Sequence, residues 1–590
     1  GVSPEEEEGL VEPYKEGLNQ PVERGGWGIR KFNLDDLYVR FFRLAERRIA
    51  EMTGRGVVSF ISNFSYLGDP SFVVMRRRFL REFDAMWFDC MNGDSRETGK
   101  LTPDGRPDPS VFSTEYNRQG IRVGTAVCVI VRKEKRRRKA SVRFRHFWGA
   151  SKRTDLLATL DNKHFNRGYE LARPSAENRY SFRPENVAPH YSQWPKMTEF
   201  CDRGPFNGLM EKRGGALIDI DRVALAARMR DYFDPELSWE EYRVLPRALS
   251  QDAARFNARD AREKAISAES YKPHRVRRYS VRPFDTRWCY YTAVRPVWNE
   301  PRPNLWRQCF QGNAFVMTRP TGVAQPEGSP MSFTRCLGDN DYLRGHAYYF
   351  PVLVDTANGK SVENGLFNGV APCANLSKAA RDYLARLGIR DPDADARTAA
   401  LIWMHALAIG FSPAYLRENA DGLRRDWPRI PLPADRKTLE ASAALGEQVA
   451  ALLDTETPVV GVTTGRIAPL LRTIAVAAKR GAGAIDPSGG DLAVTAGWAR
   501  KGGAGVIMPA TGKLEHRRHD PAETEALEAE AAARGWPPRQ VRRLLGAGTL
   551  DVYLNESVYW RNVPQAVWEH HIGGYQVIKK WLSYREQAVL

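Results

Sequence analysis

The chain has 590 residues and a mass of 66.7 kDa, with 88 Lys and Arg against 71 Asp and Glu, a formal charge of +17. Hydrophobic residues make up 42% and charged residues 27%, which excludes a largely disordered chain. The length predicts about three or four domains, and a pI near 9.5 points to a polyanionic partner, nucleic acid ahead of an anionic membrane.

The start, Gly1-Val2-Ser3-Pro4 and then Glu5 to Glu8, has neither the basic nor the apolar part of a secretory signal. Residues 1–30 read as a loop. A helix follows, with Asn33 as N-cap and Leu34, Leu37, Tyr38, Phe41, Ala45 and Ile49 as its apolar face. Gly54 and Gly56 stop it. Gly56 to Asn63 is apolar and β-branched and predicts a buried strand. A second helix is expected over Ser71 to Glu82, on Phe72, Met75 and Phe79. Strands follow at Asp84 to Asp89 and Gly124 to Val131, separated by a polar, Gly- and Pro-rich loop. Alternating helices and fully apolar strands predict a mostly parallel, helix-covered sheet, of which only the second half is visible.

From Arg132 to Arg145, nine residues are Lys or Arg and one, Glu134, is acidic. This segment is either a solvated linker or a phosphate-contacting hinge. Residues 146–360 are dense in aromatics, Arg and Pro and predict irregular β structure with a helical insert at 221–268. Residues 377–456 and Glu523 to Leu545 read as helical, and 480–512 as Gly-rich loops. The longest strongly apolar stretch, Ala399 to Phe411, falls short of the ~20 residues a membrane span needs and reads as a core helix. Cys90, Cys128, Cys201, Cys289, Cys309, Cys336 and Cys373 are widely spaced, without Cys-x-x-Cys, and are expected to be reduced core residues of a cytoplasmic protein.

Common catalytic motifs are missing. Gly359-Lys360-Ser361 lacks the rest of a P-loop, and Gly481-Ala482-Gly483-Ala484 is too short for a dinucleotide fingerprint. His570-His571 has no partner ligands, so no metal is expected. Asp84, Asp89, Asp94 and Glu97 lack the Glu-x-Lys pattern of a nuclease and read as loop and strand-end carboxylates.

The order of blocks in 31–133 resembles a known family. The run Asn33-Leu34-Asp35-Asp36-Leu37-Tyr38 through Glu46 is followed by Gly54-Arg55-Gly56 through Leu67, then Met75-Arg76, Phe83-Asp84, Asn92-Gly93-Asp94, Asp108-Pro109-Ser110-Val111-Phe112 and Gly120 to Ala126. It is similar to the second half of the catalytic domain of N6-adenine DNA methyltransferases, of the large type ISP and type IIG restriction–modification kind. Tyr279 to Tyr291, with Arg282-Pro283-Phe284-Asp285, resembles part of the same proteins' recognition regions. So do Trp427 to Leu432 and Asn562 through Gly573-Gly574-Tyr575 to Leu582.

The resemblance implies a fold of the α/β and α+β classes. Residues 1–145 would be the second half of a doubly wound Rossmann-like methyltransferase sheet, 146–375 a β-rich target-recognition domain, and 376–590 a helical and mixed C-terminal region. It implies S-adenosylmethionine as methyl donor, double-stranded DNA as substrate, and other subunits of a bacterial defence system as further partners. The family's cofactor loop and Asn/Asp-Pro-Pro-Tyr/Phe motif do not occur here, so the catalytic residues are expected upstream of Gly1. Asp69-Pro70-Ser71-Phe72 reads as a turn entering a helix.

Such enzymes rotate the adenine out of the duplex into a pocket. Phe112 is the position matching the aromatic that stacks on it; otherwise it anchors its loop in the core. Asn63 either lines that pocket or caps a turn. Arg275, Arg277, Arg278 and Arg287, interleaved with Tyr279, Phe284, Trp288, Tyr290 and Tyr291, suit a DNA surface. Arg282 and Asp285 are expected to pair across the Pro283 turn. Lys133, Lys135, Arg136, Arg137 and Arg138 are further candidate phosphate contacts. The alternative is a DNA-specificity module that does not methylate by itself, and a third reading is a structural partner in a nucleoprotein complex.

Overall fold

A computed structural model describes residues 9–29, 32–95, 98–136, 139–252, 257–323, 326–355, 372–481, 483–502 and 507–587. Glu97, Arg137, Arg138, Gly359-Lys360-Ser361 and Ala482 lie outside them. The chain is a mixed α/β protein with several sheets. It forms two compact units, Gly1–Ser192 with Asn419–Arg425, and Gln193–Glu418 with Asp426–Leu590.

The first unit is built on one five-stranded sheet. Its elements are α1 (Leu37–Glu46), β1 (Gly56–Asn63), α2 (Val73–Glu82), β2 (Ala85–Asn92), β3 (Thr125–Arg132), β4 (Ser141–His146) and β5 (Glu170–Ala172). The strand order is β1-β3-β2-β4-β5. The expected mostly parallel sheet is corrected here, because β3 is antiparallel to both β1 and β2 and only β2 and β4 are parallel neighbours. Apolar strand runs report burial and carry no sign of pairing direction. Since β3 opposes both, β1 and β2 run the same way, with α2 crossing between them and β3 inserted in the gap.

Helix α1 starts later than Asn33, at the Asp36 N-cap, and Asn33 Oδ1 accepts from the Asp35 amide at 3.3 Å. Its buried face is Val39, Phe42 and Glu46, whereas Leu37 and Phe41 are exposed. Phe42 meets Tyr66 and Phe60 with ring centroids 4.8 and 5.1 Å apart. Asp69 Oδ1 accepts from the Ser71 amide at 2.8 Å, so Asp69-Pro70-Ser71-Phe72 is a turn leading into α2. From α2, the fully buried Arg76 donates to the carbonyls of Tyr66, Asp69 and Arg179 at 2.8–3.1 Å and ties the helix to the turn before it.

The second unit holds the largest core. One sheet joins β6 (Phe206–Asn207), β10 (Phe315–Thr318), β11 (Ser332–Thr334) and β13 (Tyr348–Pro351) in the order β11-β10-β13-β6. Another joins β7 (Ile218–Asp219), β8 (Val276–Arg282), β9 (Asp285–Tyr290) and β12 (Leu337–Gly338) in the order β12-β8-β9-β7. Helices over Arg222–Tyr232 and Ala258–Ala268 form the insert expected there. Helices α3 (Ala396–Gly410) and α4 (Arg436–Leu453) pack on each other. Within α3, the buried His405 is satisfied by Ser442 Oγ at 2.8 Å and the Pro431 carbonyl at 2.7 Å. A third sheet near the C-terminus pairs Thr549–Tyr553 with Val558–Pro564. The seven cysteines are free thiols. Among the described residues no helix is long and apolar enough to cross a membrane, and no cluster of His, Cys, Asp or Glu could hold a metal ion.

Gly446 sits where α4 meets α3, and a Cβ there would overlap the Met404 carbonyl. Alanine gains about 1 kcal/mol of helix propensity but must push backbone against backbone, an overpacking cost of about 1–3 kcal/mol. Gly446→Ala should therefore lower the urea midpoint; an unchanged or higher midpoint would show that the two helices can separate freely.

Candidate nucleic-acid interface

In the first unit, the carboxyl ends of β1 and β2 meet the start of β3, where Thr125 pairs with both Asn63 and Asn92. This is the end of an open α/β sheet at which ligands bind. Asn63 acts as a cap: its Oδ1 accepts from the Ser65 amide and hydroxyl, each at 2.8 Å. The loop from Gly93 to Gly124 hangs over the same end. Its anchor is Asp108, whose carboxylate accepts from the amides of Gly93 and Gly149 at 2.7 Å and pairs with the buried Lys152 at 2.6 Å. Lys152 also donates to the Met91 carbonyl at 2.7 Å. Asp94 accepts from the Gly124 amide at 2.9 Å. Four residues beyond Asp108, Phe112 is 46% exposed, so it is not a core anchor of the loop.

The basic segment lies at the opposite end of this sheet. Arg132 pairs in register with Gly56, and Lys133 donates its amide to Asp84 at 2.7 Å. Seven residue steps along β3 at ~3.3 Å each separate that end from Asn63 by about 23 Å. Lys133, Lys135 and Arg136 are exposed, and Arg136 lies 3.7 Å from Asp84. Arg137 and Arg138 lie outside the described residues. Asp89 pairs with Arg145 and accepts from the Tyr169 hydroxyl at 3.1 Å. Asp84, Asp89 and Asp94 are thus structural ties, each with its own donor.

In the second unit the arginines of the β8–β9 hairpin are largely committed to internal partners. Arg275 pairs with Glu269 at 2.5 Å. Arg278 grips Glu456 through two nitrogens at 2.7 and 2.8 Å and lies over Trp288 at 4.8 Å. Arg287 makes a two-point contact with Asp285 at 3.0 and 3.1 Å. Arg277 lies over Trp306 at 5.6 Å, and Trp306 stacks on Tyr291 at 4.0 Å. The expected Arg282–Asp285 pair is corrected. Arg282 pairs with Asp339 at 2.8 Å, and Asp285 binds Arg287 and Arg585 instead. Phe284 takes φ 59° after Pro283 in the two-residue turn, and the side chains at its two ends part: Arg282 to Asp339, just past β12, and Asp285 to Arg287 on its own strand.

Asp285 brings together two blocks far apart in sequence, 279–291 and the C-terminal 575–585. Burial would raise its carboxyl, but Arg287 and Arg585 outweigh that and hold it below its ordinary value. Around it, Arg282 lies 5.5 Å from the rings of both Tyr575 and Tyr584. Lys580 sits 3.9 Å over Tyr584 and is only 7% exposed. It makes no ion pair among the described residues, and burial, helped by Arg282, pushes its amine down to about 7. The sequence signal for this cluster is the four-residue spacing of Lys580 and Tyr584 from the C-terminal helix Val577–Ser583, which puts both on one face.

Residues 206–590 match the family model described as the Type ISP C-terminal specificity domain. Three solved structures share the fold. One is a cryo-EM structure of a DrdV–DNA complex, with TM-score 0.56 and 18% identity over 98% of this chain and 50% of that one. The second is a nuclease-deletion mutant of the Type ISP restriction–modification enzyme LlaGI with a DNA substrate mimic, with TM-score 0.54 and 15% identity over 99% and 46%. The third is the ATP-dependent Type ISP enzyme LlaBIII bound to DNA, with TM-score 0.53 and 13% identity over 98% and 33%. The chain spans half or less of the length of these proteins. No curated protein matches it.

The buried Lys580 amine makes stability depend on pH. Its folded value, about 7, lies below the ordinary 10.5, so unfolding takes up a proton between them. Its contribution is fully present above the unfolded value and is lost as pH falls through about 7. Lys580→Met removes this term. The stability gap between Lys580→Met and wild type in urea titrations should narrow as pH rises from 7 to 8.5. A gap that stays constant over that range would mean that the amine is protonated in the fold.

Proposed function

The chain belongs to the family of Type ISP C-terminal specificity domains, and from that membership we propose that it recognises double-stranded DNA for a bacterial restriction–modification or defence system in the cytoplasm. The observation that carries this is the family match itself, which spans the β8–β9 hairpin, Asp285 and the C-terminal helix. The DNA-bound state of the three proteins that share the fold supports it, as does the surplus of 88 basic over 71 acidic residues. Phosphate contacts would supply affinity, and side chains aimed at base edges would supply sequence choice.

A second reading extends this to chemistry: the first unit is the later half of an adenine-N6 methyltransferase sheet. Three observations favour it. Strands β1 and β2 run parallel with β3 reversed between them. Val57 and Ile61, on the edge strand β1, are 60 and 64% exposed, as expected if more chain covers them. An exposed Phe112 overhangs the ligand end of the sheet, where it could stack on an extruded adenine. S-adenosylmethionine would be the methyl donor. The sequence has neither the family's cofactor loop nor its Pro-Pro-aromatic motif, so no residue of 1–590 is assigned to the cofactor. Asn63, whose amide oxygen is spent on Ser65, would shape the rim of the pocket. Of the proposed DNA contacts, Arg277, Lys133, Lys135 and Arg136 come first, with Arg275, Arg278 and Arg287 holding the recognition unit together.

DNA binding should be strongly salt-dependent. With roughly six to ten phosphate contacts, affinity for duplex DNA falls about 10³–10⁵-fold between about 50 and 200 mM salt. Absence of a gel shift at low salt would end the DNA reading. Residues 1–590 alone should transfer no labelled methyl group from S-adenosylmethionine to DNA; incorporation would show that the chemistry is housed in this chain.

A further inference from the structure

The loop residues 98–124 expose four large apolar side chains, Leu101, Phe112, Tyr116 and Ile121. Tyr116 is the extreme case, with its whole side chain in water. Single exposed apolar residues need no explanation, but a fully exposed aromatic on a hydrogen-bonded turn, with three more large apolar side chains exposed on the same loop, calls for one. The loop is also firmly held. Behind it stands the buried Asp108–Lys152 pair at 2.6 Å. Ser110 Oγ accepts from the amides of Phe112 and Ile121 at 3.3 Å. Gly120, at φ 53°, packs so tightly that a Cβ would lie 2.9 Å from both Ser110 Cβ and Ser113 Oγ.

Tyr116 rides on a closed turn within this frame. The Thr114 amide donates to the Asn117 carbonyl at 3.0 Å, and the Asn117 amide to Thr114 Oγ1 at 3.0 Å. The Gly120 amide donates to Asn117 Oδ1 at 3.0 Å. Lys100 ties the Gln119 carbonyl from the side. A hydrogen-bonded turn thus presents a flat ring that no other described residue covers. Glu115 is the lone acid in 111–124, against Arg118 and Arg122, both exposed.

We infer that Tyr116 is an aromatic wedge that stacks into duplex DNA beside the extruded base, filling the gap the base leaves. This rests on the methyltransferase reading of the first unit given above, in which a base is extruded. Tyr116 is four residues from Phe112, so their Cα atoms are at most about 14 Å apart, near enough for one ring to hold the base and the other its vacated place. Apolar wedges of this kind unstack a base step, and the protein recovers the cost through added contact. Because the turn is already fixed, little ordering is needed when the ring enters.

The test uses a 30-bp duplex with one central abasic site and the same duplex intact. The abasic gap gives a stacking ring a ready-made place, so no target sequence is needed. The 590-residue chain should bind the gapped duplex roughly tenfold more tightly, in line with stacking on a single base. Tyr116→Phe should keep that preference and Tyr116→Ala should lose it, while both bind intact duplex with the same salt dependence. Circular dichroism should show both variants folded, since the Tyr116 side chain is fully exposed. A wild-type chain that binds both duplexes equally, or a Tyr116→Ala variant that keeps the preference, would overturn the wedge and leave DNA recognition standing. Failure to bind either duplex would remove DNA recognition and the wedge together.

Discussion

The second unit depends on a buried carboxylate that cannot be left unpaired. Asp285 is 1% exposed and takes two guanidinium groups, Arg287 from its own strand and Arg585 from the far C-terminus at 3.0 Å. Leaving such a carboxylate without either guanidinium would cost about 3–5 kcal/mol, because its charge would stay buried and uncompensated. The same logic holds for Asp339, which takes Arg282 at 2.8 Å and the Tyr279 hydroxyl at 2.9 Å. Three hundred residues separate Asp285 from Arg585, so the C-terminal helix is part of the recognition fold and not an appendage to it.

That requirement also changes what the hairpin's arginines do. A run of Arg and aromatic residues looks like a nucleic-acid surface, and the same composition suits an internal lattice of ion pairs and ring contacts. Geometry decides between them. Arg275, Arg278 and Arg287 each have a carboxylate at 2.5–3.1 Å, whereas Arg277 lies over the face of Trp306 and makes no ion pair among the described residues. Exchanging an internal carboxylate for a phosphate gains little charge-pairing energy, so the paired arginines serve shape more than affinity. The two-point grip of Arg278 on Glu456 fixes the strand that carries Arg277, and a guanidinium suits this better than an ammonium.

Much of the first unit was legible in its residues. The helices and strands between 33 and 132 lie close to where periodicity and composition put them, because burial writes its pattern directly into apolar spacing. Strand direction was not legible: the β-branched run Thr125–Arg132 would look the same parallel or antiparallel. Nor was the outward face of α1, where Leu37 and Phe41 share a helical stripe with buried residues yet stay exposed. The ion-pair partner of Asp285 could not be found from local sequence either, since its second arginine is 300 positions away. Among the site residues, Asn63 could be read as a cap from its position at a strand end, whereas the exposure of Phe112 depends on how Asp108 and Lys152 set its loop.

The Asp108–Lys152 pair carries the argument for function in the first unit. Two buried charges are an expensive way to hold a loop, and an apolar contact of similar volume often serves stability as well or better. What the ion pair adds is direction. The Asp108 carboxylate takes amides from Gly93 and Gly149 as well as the Lys152 amine, so three chain segments meet at one point. A loop fixed this way carries Phe112 and Tyr116 on a backbone tied to the carboxyl end of β2. Extruding a base costs a few kcal/mol, and a protein that also had to order its stacking rings at that moment would add their lost freedom to the cost. Fixing the loop during folding removes that second term from binding. The basic segment, about 23 Å away at the other end of the sheet, cannot share in it. On the proposed reading, the basic segment and the stacking rings would act at opposite ends of one sheet.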